Sequence, residues 1–191
     1  MLDQIYKKRF DKSEIDKRNK IWKVLCSSFF QKYINKNAVV LDIGCGYGEF
    51  INNIKCREKY AIDLNKEFKD FLNPDVKFFN YQSSNLSFLN DNSIDAVFMS
   101  NFLEHLKDKE DIIKTFLEIK RILKEEGKIL ILGPNIRYAY KVYWDFFDHY
   151  IPLSEKSLKE ALEIAGFVVE KIIPRFLPYT TKTNIPKCAF L

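Results

Sequence analysis

Several features are scarce in this 191-residue chain, and each scarcity excludes something. No apolar run approaches the roughly 18 residues needed to cross a bilayer. The opening residues, MLDQIYKKRF, lack the basic-then-apolar profile of a secretory signal, so cytoplasmic residence is expected. The four cysteines, Cys26, Cys45, Cys56 and Cys188, are scattered and form no CxxC pair. Neither a zinc site nor a disulfide framework follows from that spacing; free, buried thiols and no metal are expected. Histidine occurs twice, at His105 and His149, and glycine six times, with three glycines crowded into residues 44 to 48. Internal repeats, low-complexity tracts and an interdomain linker are missing. The length suits one domain over residues 1–191, with a helical arm at 1–37, a core at 38–174 and a short tail at 175–191.

The charge that is present is uneven. The first 37 residues hold ten basic and four acidic side chains, whereas the remainder holds 21 and 22. A basic arm is either the solvated face of a helix or an electrostatic footprint for nucleic acid or a membrane surface. Within it, Ile15, Trp22, Leu25, Phe29 and Tyr33 recur at helical spacing, which predicts an amphipathic helix. Beyond residue 37, short apolar runs alternate with helical stretches. AVVLDIG, KYAIDL, DVKFFN, SIDAVFMS, GKILILG and FVVEKII read as six strands. Helices are expected from YGEFINNIK, near KEFKDFL, over 108–124 with Gly127 as a stop, and from Ser154 to Gly166. Near-continuous Val, Ile and Leu in strands separated by helices predict a Rossmann-like, doubly wound α/β fold. Its sheet is mostly parallel, with helices on both faces.

Ligands of such sheets sit beyond the carboxyl ends of the strands. In VVLDIGCGYGEF, residues 39–50, Gly44, Gly46 and Gly48 stand where the first strand turns, directly after Asp42. Twenty-one residues after Asp42, at the end of the second strand, stands Asp63, an acid placed to accept from ribose hydroxyls. Glycine turn and acid together predict a nucleoside ligand. A dinucleotide would want G-x-G-x-x-G, but Glu49 occupies the third glycine's place. With Asp42 close by, acids there oppose a pyrophosphate and suit a cationic nucleoside without phosphate. S-adenosylmethionine is such a molecule.

VLDIGCGYGEF, AIDLN and NSIDAVFMSNFLEHL resemble the motifs of class I S-adenosylmethionine-dependent methyltransferases, from about residue 38 to about residue 173. The resemblance implies that Asp42, Gly44, Cys45 and Gly46 line the methionine end of the cofactor. It implies that Asp63 holds the ribose, that Leu64 packs beside the adenine, and that Gln82, with Ser83 next to it, stands where the family often has an Asp accepting from the adenine amino group. Ser100 and Asn101 are implied near the sulfonium and amino group, while Glu104 and His105 fit the pattern after the fourth strand. S-adenosylhomocysteine would be the product. In the family pattern a hairpin and a seventh, antiparallel strand follow strand six. Only PRFLPYTTKTNIPKCAFL remains here, so the seventh strand is expected to be missing, the chain being either naturally short or truncated. An unpaired edge of that kind favours association into a homodimer.

The acceptor is carried by RYAYKVYWDFFDHY, residues 137–150, with seven aromatic residues and His149. Aromatic faces with interspersed polar groups suit a flat or sugar-like small molecule, and His149 is the candidate general base. SNFL stands where enzymes methylating nucleobase amino groups commonly carry an Asn-Pro-Pro-Tyr-like tetrapeptide, so nucleic acid is not the expected acceptor. The segment also looks like a bacterial subset associated with sugars or polysaccharide precursors. Two alternatives stay open: an RNA methyltransferase using the basic arm, and a cofactor-binding protein without catalysis.

Overall fold

A computed structural model describes residues 12–177. Five strands form one sheet: β1 (Val39–Ile43), β2 (Glu58–Ile62), β3 (Val76–Phe79), β4 (Ile94–Ser100) and β5 (Leu123–Leu132). Their order is β3-β2-β1-β4-β5, and every neighbouring pair is parallel. The order reverses between β1 and β4, which opens a crevice at their carboxyl ends. The helices are α1 (Lys12–Ser28), α2 (Lys109–Ile122), the short α3 (Ile136–Ala139) and α4 (Glu155–Ile164).

All five residues of β1 are buried, as a central strand covered on both faces requires. Its alternate side chains serve two cores. Val39, Leu41 and Ile43 join Val97, Met99, Phe116 and Leu162 under α2 and α4. Val40 joins Cys26, Phe30, Phe50, Ala96 and Phe98 on the other face, under α1. Aromatic packing closes that second core: Phe50 stacks on Phe98 at 3.6 Å between centroids, and Trp22 of α1 meets Phe98 edge-on at 5.9 Å. The Arg18 guanidinium, also on α1, lies 2.9 Å from the buried Glu49 carboxylate. The amphipathic arm is therefore a lid on the sheet, and its apolar face explains its helical periodicity. It ends at Ser28 and continues as a tight turn over Phe30–Lys32.

Caps start the other helices where their side chains allow. Asp108 accepts from the Asp111 N–H at 2.8 Å to open α2, and Ser154 forms a capping box with Ser157 to open α4. Asn65 accepts from Glu67 N–H and opens the short turn Lys66–Phe71. Arg121 ties the loop after β3 to α2, donating to Glu118, Asp91 and the carbonyls of Leu86 and Leu89.

Three expectations differ from the structure. The helix expected from YGEFINNIK is a series of hydrogen-bonded turns over residues 49–54. Asn52 and Asn53 divert the chain there: Asn52 bonds to the Phe71 carbonyl and the Asn73 N–H, and Asn53 bonds to the Glu49 carbonyl. Gly127 does not stop α2, which ends at Ile122 and passes directly into β5. Gly127 lies inside β5 where its register on β4 slips, from Ile94–Leu123 to Ala96–Lys128. FVVEKII forms no strand. Residues 167–173 run past β5 held by side chains, Lys128 to Glu170 at 2.7 Å and Lys171 to Tyr33 at 2.9 Å, with a cavity of about 660 Å³ between. A segment at the sheet edge has one neighbour for its ladder, and here side-chain contacts replace that ladder. No seventh strand occurs among the described residues. The residues from 178 onward, on which the tail expectation falls, lie outside them. Among the described residues no helix is long and apolar enough to cross a membrane.

Core truncation and edge truncation should therefore separate. Phe98→Ala is expected to lower unfolding stability by about 3–5 kcal/mol. Val168→Ala, at a side chain 90% exposed, is expected to change it by less than about 0.5 kcal/mol in urea titration.

Candidate functional site

The turn after β1 is fastened to the end of β2 by its own backbone. The N–H groups of Gly44 and Cys45 both donate to the Ile62 carbonyl, at 2.9 and 3.1 Å. Gly46 N–H donates to Asp63 Oδ2 at 3.1 Å, and Asn65 N–H donates to Oδ1 of the same carboxylate at 2.9 Å. Asp63 is thus aimed by two amides at the mouth of the turn.

The glycines divide their work. A Cβ at Gly44 would stand 2.5 Å from the Phe102 ring, and one at Gly48 would stand 2.4 Å from Leu72, so these two permit close packing. A Cβ at Gly46, where φ is +50°, would meet no heavy atom within 4 Å. The open space that a ligand needs therefore lies over Gly46. Leu64, next in line, is 56% exposed at the same strand end.

Electrostatics favours a cationic ligand here. Asp42 is buried under the turn, and burial, with Glu49 and Asp63 nearby, holds its carboxyl well above the usual range, against one opposing N–H bond from Ile51. Burial also raises Asp63, opposed by its backbone N–H bonds and by His105. Glu49 is raised by burial but answered by Arg18, so the acid that stands in a dinucleotide glycine's place is turned to α1. The acids left at the turn are Asp42 and Asp63, and a cation bound there would favour their ionised forms. Cys45 is buried, and its thiol is pushed up by burial and by Asp42, which makes it inert packing.

At the end of β4, Ser100 Oγ is buried and has no hydrogen-bond partner among the described residues. Asn101 adopts a left-handed φ of +47°, its N–H donating to the Leu132 carbonyl at 2.8 Å. Gln82 is exposed near the start of the loop after β3. Ser83 is buried, and its hydroxyl pairs with Thr115 on α2 at 2.7 Å. That hydroxyl braces a helix.

Beyond Asn101 the chain tightens over Leu103–His105. Glu104 is 4% exposed, and burial, with Asp148 nearby, pushes its carboxyl up to about 8. The Glu104 carbonyl accepts from Tyr150 N–H at 2.8 Å, which draws the end of the aromatic segment against the end of β4. His105 Nδ1 lies 2.9 Å from the Asp148 carbonyl and 3.4 Å from its carboxylate. His149 is buried between Tyr143 and Phe146, with ring centroids 4.7 and 5.0 Å away, and its ring is 5.0 Å from that of His105. Of the seven aromatics, Tyr143 is fully buried, its hydroxyl donating to the Ile151 carbonyl. Tyr138, Tyr140, Trp144, Phe147 and Tyr150 face solvent.

Sequence reasoning missed Arg18 and Asp148. Arg18 was hidden among many basic residues of the arm, and Asp148 was hidden beside a more conspicuous histidine. Its neighbour position to His149 was the one available signal.

The glycines should respond differently to a methyl group. Gly44→Ala is expected to cost roughly 1–3 kcal/mol of stability through the Phe102 clash. Gly46→Ala is expected to cost about 1 kcal/mol yet weaken S-adenosylhomocysteine binding about tenfold or more by calorimetry, because the added carbon fills the ligand's space. Asp42 makes a pH prediction. Its folded pKa is raised, so its share of stability is full below its ordinary value of 3.8 and is lost as pH rises through the folded value. Asp42→Asn is expected to stabilise the ligand-free protein at pH 7 by roughly 1–3 kcal/mol and to flatten its pH–stability curve in thermal unfolding.

Comparison with known proteins agrees with this geometry. A family model described as a methyltransferase domain matches residues 41–131. An uncharacterized protein of Methanocaldococcus jannaschii is 33% identical over 167 residues, covering 84% of this chain and 69% of that one. YqeM of Bacillus subtilis, which its name assigns provisionally to the methyltransferases, is 34% identical over 117 residues; these cover 54% of this chain and 44% of YqeM, under half of its length. Among solved structures, a SAM-dependent methyltransferase from Archaeoglobus fulgidus superposes with a TM-score of 0.68 at 26% identity, covering 78% of this chain and 69% of that one. One from Aquifex aeolicus shares the fold with a TM-score of 0.62 at 22% identity, covering 86% and 93%. The strand order that places the crevice, the turn that opens over Gly46 and these likenesses lead to one assignment: the chain belongs to the class I S-adenosylmethionine-dependent methyltransferases.

Proposed function

We propose that this protein methylates a hydroxyl of a small molecule, of the sugar or glycan-precursor class. S-adenosylmethionine supplies a methyl group already activated by its sulfonium. The residues at the turn fit that cofactor: open space over Gly46, the buried Asp42 for a cationic group and Asp63 for a ribose. Asp42, Gly44, Cys45 and Gly46 would hold its methionine end, Asp63 and Leu64 its nucleoside, with Gln82, Ser83, Ser100 and Asn101 at the remaining strand ends. Because the Ser83 hydroxyl is engaged by Thr115, Ser83 would contribute through its main chain.

The observation that carries the choice of a hydroxyl is the buried group of Glu104, His105, Asp148 and His149 beside the end of β4. A sulfonium methyl needs an aligned nucleophile, and a hydroxyl also needs somewhere to send its proton. His149, held by Tyr143 and Phe146, would receive it, and the exposed aromatics would form the acceptor's apolar wall.

Incubation with methyl-labelled cofactor and fractionated metabolites is expected to label a hydroxyl-bearing sugar or glycan precursor. Label appearing solely in RNA, or in nothing, would sink the proposal. His149→Gln is expected to lower kcat about 100-fold or more while cofactor affinity holds. Asp63→Asn should do the reverse, weakening cofactor binding roughly 10- to 100-fold.

A further inference from the structure

Both histidines of the chain meet at one place, and a carboxylate meets them there. Glu104 and His105 follow β4, and His149 ends the aromatic segment after β5. One ligand atom from each of the three lies within 4.8 Å of the other two. Donors about 2.0–2.2 Å from a common ion lie roughly 3–4 Å apart, so small side-chain rotations would gather these three around one. Glu104 is 4% exposed and His149 8%, so water competes poorly for their donors.

The surroundings of His105 have the form of a ligand's support. Its Nδ1 is hydrogen-bonded at 2.9 Å to the Asp148 main-chain carbonyl, and a carbonyl only accepts. Nδ1 therefore carries the proton, and Nε2 keeps the lone pair that a metal takes. The Asp148 carboxylate lies 3.4 Å from the same nitrogen, a second acceptor that fixes the orientation of the ring. The bond from Tyr150 N–H to the Glu104 carbonyl pins the two loops together at this point. Glu104 and His105 directly follow the carboxyl end of β4, the parallel neighbour of β1, which puts the group at the same edge of the sheet as the glycine turn.

We propose that Glu104, His105 and His149 form a site for one first-row divalent cation of borderline softness, such as Zn²⁺, Fe²⁺ or Co²⁺, with Asp148 as the positioning residue for His105. Two imidazoles and one carboxylate select ions of that class over Mg²⁺ and Ca²⁺, which take oxygen ligands. Three protein ligands leave coordination positions open, as in catalytic rather than structural sites. This departs from the expectation of no metal drawn from cysteine spacing, which carries no information about a histidine site. The role of the ion rests on the hydroxyl reading above. An open position takes the acceptor oxygen, the ion lowers the hydroxyl's pKa, and the proton leaves to solvent. His149 then serves as a ligand, and the deprotonation assigned to it passes through the ion.

The test is a titration of the chelator-treated full chain with Co²⁺, followed by visible absorption and by calorimetry. One equivalent is expected to bind with visible d–d bands, to be displaced by Zn²⁺, and to bind at least about 100-fold more weakly in Glu104→Gln and His149→Gln. Asp148→Asn should weaken it about tenfold. Wild-type protein that shows no bands at excess Co²⁺ would overturn the proposal without recourse to any variant. So would a thiolate-to-cobalt charge-transfer band, or binding unchanged in both ligand variants. Failure of the two proposals is distinguishable: ion binding without hydroxyl methylation removes the acceptor reading and leaves the site, whereas hydroxyl methylation by a chain that binds no ion does the opposite.

Discussion

The bond from Gly46 N–H to the Asp63 carboxylate joins the two ends on which the cofactor site depends. It spans β1 and β2, and it exists because those strands are parallel neighbours in register, Asp42 beside Ala61 and Ile43 beside Ile62. Parallel pairing brings both carboxyl ends to the same edge of the sheet. A left-handed residue at Gly46 then points its amide at the acid and leaves its other side open. Everything that would grip a nucleoside here is set by that one junction.

Around it the protein accepts desolvated carboxyl groups that a purely stabilising design would avoid. Asp42 and Asp63 are both held above their ordinary range by burial. Burying a carboxyl without a cationic partner is costly, and carboxyls perturbed in this way concentrate at functional sites. Glu49 is the contrasting case. It is equally buried, but Arg18 of the amphipathic helix answers it, so the lid helix and the turn are coupled by an ion pair as well as by Trp22 and Phe50. The arm's basic character is thus partly structural, at Arg18, although most of its other described lysines face solvent.

The five strands between residue 39 and residue 132 were legible because their signals are local. Runs of Val, Ile and Leu make buried strands, Ser154 caps a helix, and a glycine cluster after a strand makes a turn. Asp42, Gly46 and Asp63 were legible for the same reason. Where sequence reasoning departed from the structure, a tertiary contact overrode a local preference. Asn52 and Asn53 spent their amides on other backbone groups and undid a helix. The apolar run FVVEKII lacked a ladder and stayed irregular. Ser83 turned to Thr115, a partner 32 positions away.

The sequence by itself determined the first five strands, the glycine turn and the acid at the end of β2, because each depends on residues adjacent in the chain or on one repeated rise of a strand. Only the tertiary structure decided which glycine faces open space, which acid is paired to Arg18, and that Glu104, His105, Asp148 and His149 stand together. Those facts depend on where β4 and the segment after β5 come to rest against each other, and spacing along the chain carries no trace of that meeting.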